Sequence, residues 1–581
     1  MQSRVWAPLA AQVDLHLGSP PDAEVQRMQP DAGAQGWWMG PDLEHGTDYA
    51  YSVDGEGPFP DPRSAWQPHG IHGFSRVFEP ALHRWQDKAW PGRDARGSVM
   101  YEVHVGTFTP QGTLDSAIGQ LEDLAATGVE MVELMPLAPF PGQRGWGYDG
   151  VSLYAVHEPY GGPAALQRFV DAAHRAGLAV CLDVVYNHLG PDGNYLAPFG
   201  PYFTDAHHTP WGWAVNLDQD HSDPVRRYFL DNALRWFQDF HIDALRLDAV
   251  HALKDDSTPH ILAELSDDTA ELAERLGRPL SLIAESDLND DAMVTPTRDG
   301  GLGMTAQWAD DVHHALHTYL SGERHGYYAD FGTIEVLDHV YRRVFWHEGT
   351  HSAFRDQAWG KPVSPDTNRR RFVVFASNHD QVGNRAIGDR PASSLTAGAQ
   401  ATSLAMILLS EFTPMLFMGE EYGETRPFMY FTDHSEPLGH QVSQGRMEEF
   451  SGHGWEQLYG REIQVPDPQD RTTFLRSKVG PGVGAQGEPH DSLRRWVADV
   501  MAARTRTLDP DAWQRHPAGV VEHAPRVLTM HGPVAVHANL TDAAVTIPSR
   551  APLASFGDAT WADGQVTLAA DAVALEAVAD A

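Results

Sequence analysis

From Ser98 to about Arg504 the chain switches repeatedly between short apolar runs and longer amphipathic stretches, and this alternation restricts the fold more than any other feature. The apolar runs fall at residues 99–105, 129–134, 178–185, 244–247, 280–284, around 304–308, 372–377 and 414–418. Their length suits buried strands. Between them the apolar spacing turns helical. Leu114, Ile118, Leu121 and Ala125 follow the first run, and Leu166, Phe169, Val170 and Ala173 the second. Val225, Phe229, Ala233, Trp236 and Phe240 follow the third, a helical stretch at 260–276 precedes the fifth, and an Ala-rich one at 395–409 follows the seventh. Such spacing puts one apolar face on each helix. Strands alternating with helices imply a parallel sheet, and eight such units close into a (β/α)8 TIM barrel. The chemistry of a barrel belongs on the loops after its strands, and those after the second, third and eighth are long enough to form a rim.

The flanking segments read differently. Residues 13–17 and 49–53 alternate apolar and polar, as half-buried strands do, and 54–73 is rich in Gly and Pro with no helical period. The expected order is an N-terminal β-sandwich with a linker over 1–97, the α/β barrel over 98–505 closed by a helix at 492–504, and a C-terminal β-domain over 506–581 with strands near 526–530, 534–539 and 543–547. A chain of 581 residues exceeds what one core organises, in keeping with three segments.

Charge narrows the partners. Lys and Arg number 42 against 79 Asp and Glu, a net charge of −37. Nucleic acid and anionic membrane would be repelled, while a neutral ligand carries no such penalty. No apolar run reaches the roughly 18 residues of a membrane span, and the first residues hold no apolar signal segment. The single cysteine, Cys181, reads as a packed core residue and suits a reducing cytoplasm. Seventeen tryptophans suit a sugar binder, although most belong to cores. Trp146, Trp211 and Trp213 stand in long loops, where they either line a groove or pack within the loop.

Carboxylates stand at several strand ends. Asp183 lies in Cys181-Leu182-Asp183-Val184-Val185-Tyr186-Asn187-His188, and Asp248 in Ala244-Leu245-Arg246-Leu247-Asp248-Ala249-Val250-His251. Glu285 ends Leu282-Ile283-Ala284-Glu285-Ser286, and Asp380 ends Ala376-Ser377-Asn378-His379-Asp380. One such acid alone is as readily a cap or loop hydrogen-bonder. Several together supply what glycoside hydrolysis needs, an acid to protonate the leaving oxygen and a carboxylate to attack C1 or activate water. Arg246 and Asp248, two apart on a strand, share a face, so the guanidinium favours the ionised carboxylate a nucleophile requires. Glu285 follows an apolar run with no cation beside it in sequence, so a drier setting should raise its pKa, as a general acid requires. The pair Glu420-Glu421 after the eighth run reads as a rim feature or as solvated side chains. His313 and His317, one helical turn apart near Asp310, Asp311 and His314, have metal-ligand spacing but no identifiable third ligand. They read instead as part of a polar helix near the mouth; neither a metal nor an organic cofactor is expected.

The four segments resemble, in order and in placement, the four signature regions of the α-amylase family. The resemblance implies Asp248 as nucleophile, Glu285 as general acid/base and Asp380 as transition-state stabiliser. It implies Tyr148, His188, Arg246 and His379 as contacts at the cleavage subsite and Asp183 as a supporting carboxylate. Asn187 matches a position that binds calcium in some members. Further stretches, including Glu102-Val103-His104-Val105-Gly106-Thr107-Phe108-Thr109, residues 307–317, Phe431-Thr432-Asp433-His434 and Val465-Pro466-Asp467-Pro468-Gln469-Asp470, are similar to the members that release trehalose from maltooligosyltrehalose. His251, where many members carry Lys, implies different handling of the leaving group. The alternatives are a glucan branching enzyme, which passes the glycosyl unit to another glucan, and a non-catalytic glucan-binding homologue. Oligomeric state stays open.

Overall fold

Eight parallel strands close into a barrel in the computed structural model, which describes residues 2–450, 459, 463–479 and 487–578. Met1 and residues 579–581, the outer ends of the first and last expected segments, lie outside them. The strands are β1 (Met100–Val103), β2 (Met131–Leu134), β3 (Ala179–Val184), β4 (Ala244–Leu247), β5 (Ser281–Ala284), β6 (Ala306–Trp308), β7 (Phe372–Phe375) and β8 (Thr413–Phe417). Each pairs with the next, and β8 returns to β1. The first seven expected apolar runs each contain one of them, some trimmed where the chain bends into a loop, and β8 is displaced by one residue from the expected 414–418.

Alternation along the strands divides the barrel interior into two layers. The lower layer is apolar and sealed, built from Met100, Met131, Cys181, Ala244, Ile283, Trp308, Val373 and Met415. One inward position further up, β1 to β4 carry Glu102, Glu133, Asp183 and Arg246. Register aligns Glu102 with Glu133, and Asp183 with Arg246. An apolar floor thus lies beneath a charged layer at the strands' C-terminal ends, where a barrel keeps its chemistry.

The outer helices bury the expected faces. Gly162–Arg175 buries Leu166, Phe169, Val170 and Ala173, and Ser222–Asp239 buries Val225, Phe229, Ala233 and Trp236. Ala397–Leu408 is buried nearly all round because it lies between the barrel, the helix His490–Arg504 and the C-terminal sheet. The first expected helix is instead two, Leu114–Ile118 and Leu121–Ala126, separated at Gly119 and Gln120. Glycine is a poor helix former, and Gly119 takes the cap position. Two antiparallel hairpins have no counterpart in the sequence reading: Phe203–Thr209 with Gly212–Val215, and Thr350–Ser352 with Gln357–Trp359. Both are short and largely exposed, so they lack the apolar alternation that marks a half-buried strand.

At the N-terminal end are two sheets. One joins Gln2–Trp6, Gln29–Pro30 and Trp37–Asp42; the other joins Val13–Leu17, Glu24–Arg27, Asp48–Val53 and Glu56–Phe59, with Ser75–Arg76 also paired to Asp48–Val53. The expected linker is no free tether. Trp90 and Ala95 pack under the barrel floor, and His174 Nδ1 and Nε2 lie 2.9 Å from Asp87 and Asp243, respectively. At the other end, five strands from Gly519–Ala524 to Ala572–Ala577 form one sheet and Val545–Pro548, Ala559–Ala562 and Gln565–Leu568 another. Among the described residues no helix is long and apolar enough to cross a membrane.

Candidate active site

The ends of β3, β4 and β5 meet on one side chain. Arg246 is fully buried, and its Nη1 donates to Asp183 Oδ1 at 3.0 Å, Asp183 Oδ2 at 2.9 Å and Asp248 Oδ1 at 2.8 Å. Its Nη2 lies 3.1 Å from Glu285 Oε2. The shared strand face expected for Arg246 and Asp248 is present. No cation stands beside Glu285 in sequence, but parallel pairing of β4 and β5 brings the same guanidinium to it. Burial nevertheless pushes the Glu285 carboxyl up to about 8, with Arg246 opposing and Asp248 and Asp380 adding to the rise. Burial likewise lifts Asp183 to about 6 against the pull of Arg246.

The chain leaves β4 through Ala249, whose φ of 39° is left-handed and strained for a residue with a Cβ. This turn aims the Ala249 N–H at Glu285 Oε2, 2.6 Å away, while the Val250 N–H reaches the Glu285 carbonyl at 3.0 Å. The two expected catalytic carboxyls are therefore tied together by backbone as well as by Arg246. Asn187, after β3, donates through Nδ2 to the Asp248 carbonyl at 2.7 Å and to its Oδ2 at 2.8 Å.

At β7 the short helix His379–Gly383 begins, capped by Asn378 Oδ1 on the Gln381 N–H at 2.8 Å. It presents His379 and Asp380. The Tyr148 hydroxyl donates to Asp183 Oδ2 at 2.7 Å and lies 2.8 Å from His379 Nε2, with the two rings stacked. Asp380 Oδ1 is 3.5 Å from the same nitrogen. Burial pulls the His379 imidazole down, and the Asp380 and Glu102 carboxylates more than reverse it, to about 10. His188 Nε2 is held by the Tyr148 carbonyl at 3.0 Å and Nδ1 by Asn187 Oδ1 at 2.5 Å. His251 stands on the turn Val250–Ala252, with Nδ1 3.9 Å from Asp287 Oδ1, facing the loop after β5. All nine expected site residues thus gather at one end of the barrel.

Other side chains fall elsewhere. Trp146 is buried rather than lining a groove, stacked on Phe428 and edge-on to His379. Trp211 is half exposed and stacked on His188 with ring centroids 4.3 Å apart, and Trp213 is exposed on the same hairpin. Neither Glu420 nor Glu421 is simply solvated: Ser377 Oγ donates to Glu420 at 2.7 Å, Tyr101 donates to Glu421, and burial raises both to about 7. The nitrogens of His313 and His317 point to separate partners, His313 to the Ala376 carbonyl and the Tyr328 hydroxyl, His317 to Glu323. The pair shares no ligand position. The sequence reading assigned no role to Glu102 or Glu133, and placed Asp310 only within a polar helix near the mouth. Asp310 accepts from Gln381 at 3.3 Å, and burial, with Asp380 beside it, raises it to about 7. The available signal was inward parity, since Glu102 and Glu133 each stand two residues beyond a buried methionine on their strand.

Two facing carboxyls on strand ends, one lifted by burial and one beside a fixed cation, form an apparatus for acid-assisted displacement at a sugar carbon. Comparison with known proteins agrees. Residues 81–205 match the family model described as alpha amylase, catalytic domain. The chain is 52% identical over 516 residues to the malto-oligosyltrehalose trehalohydrolase of Arthrobacter ramosus, covering 87% of each. It superposes on a crystal structure assigned as an alpha amylase from Salmonella typhimurium with a TM-score of 0.87 and 33% identity, covering 99% of this chain and 97% of that one. Likeness to a 1,4-alpha-glucan branching enzyme of Leifsonia xyli is weaker, 30% over 59% of this chain and 47% of the other. The chain belongs to the malto-oligosyltrehalose trehalohydrolase family, within the α-amylase group.

Proposed function

We propose that the protein hydrolyses the α-1,4-glucosidic bond next to the terminal trehalose unit of maltooligosyltrehalose, releasing trehalose and a shortened maltooligosaccharide. Glu285 protonates the glycosidic oxygen while Asp248 attacks C1; Glu285, now a base, then activates the water that releases the sugar. Asp380 stabilises the developing positive charge, Tyr148, His188, Arg246 and His379 hold the ring at the cleavage subsite, and Asp183 keeps Arg246 in place. The observation that carries this chemistry is the shared guanidinium, which makes Asp248 and Glu285 close neighbours. Closeness suits a retaining pair, whose carboxyls stand about 5–5.5 Å apart. The choice of substrate rests on the family.

Residues at the cleavage subsite meet the same glucose in maltooligosyltrehalose and in plain maltooligosaccharide. Selection therefore belongs to the leaving-group side, where the loops after β4 and β5 bring His251 and Asp287. Polar contacts fitted to one leaving group reject another because they are left unpaired. The acidic chain suits a neutral glucan, and its single, buried cysteine suits the cytoplasm. The test compares kcat/KM on maltooligosyltrehalose and on maltooligosaccharide of equal length, with products separated by chromatography. Trehalose release should exceed cleavage of the plain glucan by about a hundredfold or more. A fluorinated glucosyl trap should label Asp248, and Asp248→Ala should remove nearly all turnover. Equal efficiencies, or transfer of glucan chains without trehalose release, would count against the reading.

A further inference from the structure

Glu102 lies on β1 directly below the catalytic layer and is wholly buried. Both of its carboxylate oxygens are used on one residue. Oε1 is 2.5 Å from His379 Nδ1, and Oε2 accepts the His379 backbone N–H at 2.8 Å. We propose that Glu102 is a positioning residue for the hydrolysis: it clamps the ring and the backbone of His379 together and keeps the ring an imidazolium, with its Nε2–H directed at the cleavage subsite. This deepens the function proposed above and rests on its placing of His379 and Asp380 at the reaction centre.

The hydrogen-bond count requires the charge. Nδ1 faces a carboxylate and carries a proton. Nε2 faces the Tyr148 oxygen, whose one proton is committed to Asp183, itself ion-paired with Arg246. The only role left to Nε2 is donor, so both ring nitrogens are protonated. The surrounding walls leave the ring no other pose. Trp146 meets it edge-on at 5.6 Å, Trp308 lies 6.2 Å away, and the ring is only 1% exposed.

The other titratable groups around the ring leave this pairing intact. On β2, Glu133 is the register partner of Glu102, and neither of its carboxyl oxygens has a hydrogen-bond partner among the described residues. Burial, with the charges of Glu102 and Asp183 beside it, pushes Glu133 far up, so it stays neutral. His104 on the loop after β1 is pulled down to about 3 by burial and is also neutral. Arg246 opposes a second cation, and Asp380 favours one. Among the described residues Glu102 is thus the one carboxylate that meets His379 away from the substrate side. It also fixes the backbone at the start of the helix that carries Asp380.

Glu102→Gln keeps the shape and removes the charge. In that variant the buried imidazole should lose its proton at a lower pH. The alkaline limb of kcat/KM, which Glu285 sets near pH 8 in the parent, should then move down by about one pH unit or more as the imidazole comes to lose its proton before Glu285 does, with activity near pH 5 recovering to within about tenfold of the parent. Glu102→Asp, which keeps the charge, should leave the limb where the parent has it even if kcat/KM falls. A loss of the same size at every pH, or no loss, would overturn the proposal. Should the Gln variant fail to fold, the intact protein labelled at histidine Cε1 decides by NMR, the His379 signal being assigned through His379→Gln. That signal should stay imidazolium to about pH 9, and a titration below about pH 8 would overturn the proposal. Activity of Asp248→Ala would defeat the catalytic assignment but leave this titration unchanged, so the two failures are distinguishable.

Discussion

Glu285 sits among charges of both signs, with Arg246 on one side and Asp248 and Asp380 on the other, and burial decides its protonation. A general acid works only while it holds its proton. Since burial lifts this group to about 8, kcat/KM should hold through neutrality and fall as pH rises through about 8. A pH–rate profile of the parent checks this, and a fall already complete near pH 5 would place the acid elsewhere. Asn187 bears on metal dependence. Its Nδ2 is held by Asp248 and its Oδ1 faces His188, so the side chain is engaged with the site's own residues. Exhaustive chelation should therefore leave activity unchanged; loss with EDTA and recovery with calcium would show otherwise. At this level the sequence disclosed which acids stand at strand ends, and spacing foresaw the Arg246–Asp248 pair. Contacts of Arg246 with Asp183 and Glu285 join residues 63 and 39 positions apart in sequence, which no local pattern encodes.

The turn after β4 and the helix after β7 hold the site at the level of short elements. The helix His379–Gly383 is only five residues long, and Trp146 packs directly against Gly383. A Cβ there would collide with the indole ring. Gly383→Ala should cost about 1–3 kcal/mol by overpacking. It should also lower kcat/KM by about tenfold or more, because a helix so short passes any shift on to Asp380. Thermal unfolding and steady-state kinetics would separate the two effects, and a fully active variant would show that the contact relaxes without moving Asp380. Trp146 illustrates what periodicity leaves undetermined. It stands in a loop, where either groove lining or packing is open to it, and the approach of the helix after β7 selects packing.

The linker couples the N-terminal segment to the barrel across the whole molecule. Asp87 accepts from His174 and His241, and His174 also faces Asp243 in β4's approach. Burial opposes the charged form of Asp87, but both histidines outweigh it and hold the carboxyl near 2, below its unfolded value of about 3.9. A depressed acid contributes stability above its unfolded pKa and loses it as pH falls through the folded value. For His174, burial is outweighed by the two aspartates and its pKa is raised, so its share is complete below about 6.5 and lost as pH rises through the folded value. The Asp87–His174 pair contributes most between about pH 4 and 6.5, while His241, whose pKa burial lowers, acts in the opposite sense. Asp87→Asn should lower Tm in that window, and the gap from the parent should narrow as pH falls from about 4 to 2. A gap independent of pH would mean the aspartate acts by shape alone.

The eight barrel strands, their order, the faces that the expected helices bury and the acids at the strand ends were legible in the sequence. All of these are written in periods of two and 3.6 residues or in short segments, and they survive because each element buries its own apolar face locally. The split of the first helix at Gly119, the exposed hairpins and the part-exposed strands Pro552–Phe556 and Ala559–Ala562 were not, since exposed or brief elements leave no such period. What only the tertiary structure decided was how charges share partners. Barrel closure brings β1 beside β8 and parallel pairing sets β3, β4 and β5 in register, so that Glu102 meets His379 and one guanidinium meets three carboxylates. Protonation in such a layer follows from burial and distance, and both exist only once the chain has closed.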